Sequence, residues 1–242
     1  MERDRQPLNN CLDHHRQLKV IEFFGAPGVG KSYLAKNATP IIYSQPLEKY
    51  FHKITVVRLW RKFSLIFRHI KTSIECILWA KKLTRFSSDR RRRWKVIFNW
   101  VFINAVILDA ARPQPSLIVL DQGIAQGLWS TLFGENMREP LDDLCKFTRL
   151  FLKRLPVSKW SILHLTVPQE TIRVRLEERQ GLSPIDRDFS KIDEAISAEI
   201  LVKEVICSLS KSQDKPNVEI VNILNNSEQA VSDCRSVIIN LL

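Results

Sequence analysis

Short apolar runs alternate along this chain with longer segments in which apolar residues recur every three or four positions. The short runs predict strands that are buried on both faces, because such strands lack polar alternation. Strands are predicted at residues 18–24, 40–44, 117–120, 161–167 and 218–223. The longer segments predict helices between them. Strands that alternate with helices indicate an α/β fold, with a parallel sheet and helices on both of its faces.

Helices are predicted at residues 31–37, 46–83, 94–111, 123–133, 141–155, 168–180, 192–209 and 227–242. The segment 94–111 is apolar enough to resemble a membrane span. It is shorter than about 20 residues and contains Asn99, Asn104 and Asp109, which favours a buried core helix. A break is expected at 86–89, where a serine or Asp89 is suited to cap the following helix.

The chain of 242 residues is long enough to bury a sizeable core. We expect a flexible lead-in over residues 1–17, which are polar, and a single domain over residues 18–242. The five cysteines form no C-x-x-C pair and have no metal-ligand spacing. Free thiols, mostly buried, are therefore expected, as is a reducing, cytoplasmic location.

The formal net charge of +11 is concentrated in one segment. Residues 52–95 contain fourteen lysines or arginines and two acids, a net charge of +12, so that the rest of the chain is close to neutral. This basic helical insertion, at about 46–112, also contains aromatic residues. It is suited to a polyanionic acceptor, an anionic membrane face or nucleic acid, or it is a solvated helical face.

Residues 25–32 read GAPGVGKS, which fits the phosphate-binding motif G-x-x-x-x-G-K-[ST]. An apolar strand precedes the motif and a helix follows it, as the motif requires. Lys31 is predicted to reach the β- and γ-phosphates of ATP, and the Ser32 hydroxyl to bind Mg²⁺. The predicted nucleotide-binding residues are Gly25, Ala26, Pro27, Gly28, Val29, Gly30, Lys31, Ser32 and Tyr33.

A second chemical signal is Asp121, directly after the apolar run 117–120. An acid at the carboxyl end of a buried parallel strand lies where open α/β sheets bind ligands. It is predicted to hold Mg²⁺ with Ser32 or to act as a general base. The alternative is that Asp121 caps the next helix.

A third signal is a group of arginines after the fourth predicted strand. Arg175 and Arg179 are four residues apart and share one helix face, and Arg187 follows in a polar stretch. A lid is expected at about 180–189, whose closure would bring these arginines to the transferring phosphoryl group. The alternative is a solvated helix face on which Glu177 and Glu178 pair with them.

These three elements, in this order, resemble the P-loop small-molecule kinases, in particular the thymidylate kinase-like group of the nucleoside monophosphate kinase superfamily. The resemblance implies a three-layer sandwich with a five-stranded parallel sheet of order 2-3-1-4-5, and ATP with Mg²⁺ as the phosphoryl donor. The chain departs from that family at two positions: Gln122 replaces the arginine that follows the aspartate, and Tyr33 replaces a threonine.

The leading hypothesis is phosphoryl transfer from ATP to a small, anionic acceptor, either a nucleoside or nucleotide or another metabolite. Its predicted catalytic residues are Lys31, Asp121, Arg175, Arg179 and Arg187, and Gln122 and Gln126 are candidates to line the acceptor site. The alternative is a regulatory ATPase that binds nucleic acid or an anionic membrane through residues 52–95. A homodimer that shares the apolar helix 94–111 is a further expectation.

Overall fold

The computed structural model describes residues 18–38, 56–84, 89–111, 117–133, 141–178, 191–212, 216–225 and 229–241. Within these ranges the chain forms one four-stranded sheet in which all neighbouring strands are parallel. The strands are β1 (Leu18–Phe24), β2 (Leu117–Leu120), β3 (Val157–Thr166) and β4 (Asn217–Leu224). Their order across the sheet is β2-β1-β3-β4.

The predicted α/β fold with a parallel sheet is confirmed. The described ranges hold four strands rather than the predicted five, and the predicted strand 40–44 lies outside them. The observed order equals the predicted order without that second strand. β1 and β2 begin and end where the apolar runs predict. β3 begins four residues earlier than predicted, and there its backbone pairs with β1, with Leu18 opposite Val157 and Lys19 opposite Lys159.

Nine helices connect and flank the strands in the described ranges. They are α1 (Lys31–Ala38), α2 (Val56–Arg68), α3 (Ile70–Leu83), α4 (Arg90–Ala110), α5 (Ile124–Leu132), α6 (Leu141–Arg154), α7 (Gln169–Glu177), α8 (Lys191–Ser210) and α9 (Gln229–Leu241).

Helices cover both faces of the sheet. Successive strand side chains point to opposite faces, yet Phe23 and Phe24 of β1 are both fully buried. One group of helices consists of α1 and α9, which contact each other. A second group consists of α4, α5, α6 and α8, in which α5 contacts both α4 and α8. β1 therefore lies in the core with helices above and below it.

The long apolar helix α4 is a core helix, as predicted. Ten of its residues are buried, and Trp100 at its centre packs edge-on against Phe147 and Phe151 of α6, with ring centroids 5.0 Å apart in each pair. These residues are buried within a single chain, so a dimer would have to use another surface. In the described part of the chain, no helix is long and apolar enough to cross a membrane.

The helical insertion differs from its prediction in two boundaries. Of the segment predicted as one helix at 46–83, the structure describes residues 56–83, which form two helices, α2 and α3. They are separated at His69, whose backbone lies outside helical values (φ −117°, ψ 35°). No glycine or proline marks this break. The next helix begins at Arg90 rather than Trp94, because Asp89 caps it: its carboxylate accepts hydrogen bonds from the backbone N–H groups of Arg91 and Arg92.

The cysteines of the described ranges are free thiols, as predicted: Cys76, Cys145 and Cys234 are buried and Cys207 is half-buried. Burial raises the pKa of both Cys76 and Cys234 to about 12. These two thiols are therefore protonated at neutral pH and are poor nucleophiles.

We expect Asp89→Ala to destabilise the protein by about 1 kcal/mol, because the first turn of α4 loses its acceptor. Asp89→Asn keeps a side-chain oxygen in the same place and is the matched control, with stability close to that of the original chain. Chemical denaturation measures both differences. Equal loss in the two variants would show that the charge of Asp89, rather than its capping oxygen, stabilises the helix.

Candidate active site

The glycine-rich loop lies between the end of β1 at Phe24 and the start of α1 at Lys31. Its three glycines have positive φ angles of 148° at Gly25, 88° at Gly28 and 91° at Gly30. A side chain has no room at two of them. A Cβ at Gly25 would lie 2.5 Å from the Leu165 carbonyl oxygen, and one at Gly30 would lie 2.5 Å from Asn225 Nδ2. The loop therefore follows a backbone path that only glycine adopts at these positions.

The side chain of Lys31 returns to the loop that precedes it. Its Nζ donates hydrogen bonds to the carbonyl oxygens of Gly25, at 2.7 Å, and Ala26, at 2.9 Å. Lys31 also begins α1, so that its ammonium and the positive end of the helix lie at the same loop. A helix N-terminus with a lysine beside it is suited to bind phosphate.

Ser32 and Asp121 are brought together from positions 89 residues apart. The Ser32 hydroxyl donates a hydrogen bond of 3.4 Å to Asp121 Oδ2. Asp121 directly follows β2, which pairs with β1, so that both strands end at the same edge of the sheet. Gly123, and not Asp121, is the N-cap of α5, so the helix-cap alternative for Asp121 is wrong. A hydroxyl and a carboxylate are hard oxygen ligands, which suit Mg²⁺.

The remaining predicted loop residues fall into two groups. Ala26 and Val29 are buried, and the Val29 N–H donates to the Ala26 carbonyl at 3.4 Å, which closes the loop on itself. Pro27 is half-buried. The side chain of Tyr33 points to solvent, with 60% of its surface exposed, and therefore does not line the loop.

Arg175 contacts the back of the glycine loop. Its guanidinium donates to the Gly28 carbonyl at 3.3 Å and to the Asn225 carbonyl at 3.4 Å. It therefore bridges the loop and the end of β4, rather than pairing with Glu177 or Glu178. On the same helix, Arg173 Nη1 lies 3.6 Å from Glu170 Oε1. Arg179, Arg187 and the predicted lid at 180–189 lie outside the described residues.

Asn225 is a residue of this site that the sequence analysis missed. It directly follows β4, and its Nδ2 donates a hydrogen bond of 2.6 Å to the Val29 carbonyl. Its own backbone N–H donates to the Thr166 carbonyl at the end of β3, at 2.9 Å. The signal that identified Asp121, a polar residue at the carboxyl end of a buried parallel strand, was present here as well.

Glu22 is the second missed residue, and it is fully buried in β1. Its Oε1 accepts hydrogen bonds from the backbone N–H groups of Gly123, at 2.9 Å, and Gln126, at 3.0 Å. Its Oε2 accepts from the Ala125 N–H and from Trp160 Nε1, each at 3.1 Å. The carboxylate thus binds the N-terminus of α5, the helix that begins directly after the segment containing Asp121.

Two effects oppose each other on the acidity of Glu22. Burial favours the neutral acid, whereas the four N–H donors favour the carboxylate. Burial is the larger effect and raises the pKa of Glu22 to about 7. Glu22 was missed because β1 is mostly apolar. A single acid within such a run indicates a solvent-facing position rather than a residue that caps a helix elsewhere in the chain.

Helix α5 carries one further polar group, in the turn that follows Asp121 along the chain. Gln126 lies in its first turn, and its Oε1 is buried and has no hydrogen-bond partner among the residues that the structure describes. Trp129, by contrast, is a packing residue. Its Nε1 donates to the Ala195 carbonyl at 2.9 Å, and its ring stacks on Phe133 at 4.6 Å.

No protein-family model matches the sequence, and the comparison with curated proteins found no match. Solved structures of similar shape include deoxyadenosine kinase from M. mycoides with products dCMP and a flexible dCDP bound. It is 13% identical, with a TM-score of 0.47, over 92% of this chain and 97% of that chain. Another is TT1252 from Thermus thermophilus, which is 15% identical, with a TM-score of 0.42, over 93% and 99% of the two chains. Both similarities are remote, so the contacts of this chain's own residues carry the proposals below.

We expect Glu22→Gln to destabilise the protein by about 2–3 kcal/mol, because the new amide turns a donor toward buried N–H groups. The difference in stability between the original chain and Glu22→Gln should depend on pH. The pKa of Glu22 is about 7 in the folded chain and near 4.5 when unfolded, so the folded state binds the proton more tightly. The stability that Glu22 contributes is therefore fully present below pH 4.5 and is lost as the pH rises to about 7.

Denaturation of both chains at several pH values measures this effect. The gap in stability between the original chain and Glu22→Gln should narrow from acid to neutral pH. A gap that stays constant would show that Glu22 is ionised throughout and that its four hydrogen bonds outweigh its burial.

Proposed function

We propose that this protein is an ATP- and Mg²⁺-dependent kinase that transfers a phosphoryl group to a small, anionic acceptor. The observation that carries the proposal is the hydrogen bond between Ser32 and Asp121, at 3.4 Å, beside a glycine loop that has Lys31 folded over it. An anion cradle and two hard oxygen ligands at one edge of a parallel sheet are suited to a nucleotide triphosphate with its metal ion.

In this proposal the loop amides and Lys31 bind the β- and γ-phosphates of ATP. Ser32 and Asp121 are the residues that would hold Mg²⁺, which when bound offsets the negative charge of the phosphates. Arg175 keeps the loop in shape through the Gly28 carbonyl and adds positive charge behind it. Arg179 and Arg187 are the remaining proposed catalytic residues, and they are proposed from the sequence alone.

The reaction is a displacement at the γ-phosphorus. An acceptor oxygen forms a bond to phosphorus, the bond to the β–γ bridging oxygen breaks, and ADP leaves with that electron pair. Where the acceptor is a hydroxyl, its proton passes to a carboxylate, and Asp121 would take it in the alternative role, as a general base that does not hold Mg²⁺. Gln126 is the residue proposed to orient the acceptor, since its buried Oε1 lies on the first turn after Asp121 and lacks a described partner.

A regulatory ATPase is the second candidate function, and the exposed aromatic and basic residues of the insertion favour it. The two candidates differ in product. A kinase forms ADP together with a phosphorylated metabolite, whereas a regulatory ATPase releases inorganic phosphate when a polyanion or lipid binds. The five-stranded sheet and the cytoplasmic location are further proposals that rest on the sequence. A homodimer is also proposed, but through a surface other than the buried helix α4.

We expect Lys31→Ala to lower phosphoryl transfer about 100-fold or more, because charge stabilisation at the γ-phosphate is lost. Lys36→Ala, on an exposed position of the same helix, is the matched control and should leave transfer unchanged. The assay screens a metabolite library with ATP and detects the mass of one added phosphoryl group. Unchanged transfer in Lys31→Ala, or ATP hydrolysis with no phosphorylated metabolite, would contradict the kinase proposal.

We expect Ser32→Ala and Asp121→Asn each to raise the Mg²⁺ concentration needed for half-maximal ATP binding, because each removes a metal ligand. Titration of Mg²⁺ against the chain with a fluorescent ATP analogue measures this without turnover. Lys36→Ala, exposed on the same helix and outside the predicted nucleotide-binding residues, is the control. ATP affinity that does not depend on Mg²⁺ in the original chain would contradict the metal assignment.

A further inference from the structure

Helices α2 and α3 and the start of α4 expose a concentration of large apolar side chains. Eight of the thirteen large apolar residues that are exposed in the described part of the chain lie on these three helices. They are Trp60, Phe63, Phe67, Ile70, Ile74, Leu78, Trp94 and Phe98, which together with the neighbouring exposed cations are called the aromatic–basic surface below. Clusters of this kind mark interaction sites rather than ordinary surface.

Each helix contributes one face. Trp60, Phe63 and Phe67 recur at intervals of three and four, and Trp60 and Phe67 are 71% and 67% exposed. The opposite face of α2 is turned inward, where Leu65 is buried and Ile66 packs on the core. α2 therefore has two apolar faces. One packs on the core, and the other is exposed.

The three helices form one surface rather than three separate patches. The rings of Phe63 on α2 and Phe98 on α4 meet edge-on, with centroids 6.1 Å apart. Lys81 Nζ on α3 lies 5.7 Å from the centroid of the Trp94 ring on α4. α4 thus joins the exposed faces of its two neighbours.

The surface also carries positive charge. The same helices expose a set of cations, Lys71, Lys81, Lys82, Arg90, Arg91 and Lys95. The two acids of the segment are already engaged: Glu75 pairs with Arg154 at 2.9 Å, and Asp89 caps α4. Two acids cannot neutralise the fourteen cations of residues 52–95, so the segment keeps a net charge of +12 and a partner of opposite charge is favoured.

We propose that the aromatic–basic surface binds an anionic lipid bilayer, with its apolar residues at the boundary of headgroups and acyl chains. An amphipathic helix with exposed tryptophan and phenylalanine and flanking lysine and arginine binds in this way. A second copy of the chain fits poorly, since two segments of charge +12 would face each other. Nucleic acid fits less well than a bilayer, because three of the eight exposed apolar residues, Ile70, Ile74 and Leu78, offer no ring on which bases stack.

The proposal does not depend on phosphoryl transfer, so its test uses the full chain without ATP. The chain is mixed with vesicles of phosphatidylcholine alone or with added phosphatidylserine, and bound protein is separated by flotation. We expect binding to the vesicles that contain phosphatidylserine. Trp60→Ser with Phe67→Ser should weaken it about tenfold or more, because two aromatic anchors are lost. Lys71→Gln and Lys82→Gln should each weaken it about fivefold.

Ile200→Ser with Ile239→Ser is the matched control, because these residues are similarly exposed, at 53% and 59%, on α8 and α9. It should bind as the original chain does. Thermal unfolding of each variant excludes loss of fold, which is not expected for positions this exposed. Three results would overturn the proposal: equal binding by the aromatic variant, binding to a single-stranded oligonucleotide but not to vesicles, or a dimer in sedimentation that the aromatic substitutions abolish.

Discussion

One buried carboxylate holds together the two strands on which the candidate site depends. Glu22 in β1 binds the backbone N–H groups at the start of α5, and through them it determines where the segment after β2 lies. Gly123 lets the two approach, because a Cβ there would lie 2.8 Å from Glu22 Cδ. The distance between Ser32 and Asp121 follows from this arrangement, since one residue follows β1 through the loop and the other follows β2 directly.

The fold was predictable from the sequence to the extent that local patterns determine it. β2 is entirely apolar and β1 is mostly apolar, and the first and last residues of both strands were predicted correctly. The glycine loop was predictable because its residue types are required by its backbone. Asp121 was predictable because a strand that ends in an acid places that acid at a known edge of the sheet.

What could not be predicted depends on partners distant in the chain. Glu22 meets residues about one hundred positions away, and Asn225 meets Val29 across 196 positions, so neither contact leaves a local pattern. The break at His69 has no helix-breaking residue of its own. It arises where α2 and α3 pack separately against α4. The early start of β3 depends on backbone pairing with the start of β1, which the pattern of β3 alone does not contain.

The positive charges at the glycine loop and those on the insertion differ in how far their side chains are buried. At the glycine loop, Lys31 and Arg175 are each held by backbone carbonyl oxygens, so their charges have fixed positions. Fixed charge is what stabilises a defined change in charge during a reaction. On the insertion, Lys71, Lys82, Arg90, Arg91 and Lys95 are exposed on helices that also expose apolar side chains, and these cations remain hydrated. Such charges suit an extended surface with many equivalent anions, which is why a small acceptor is assigned to the sheet edge and a bilayer to the helices.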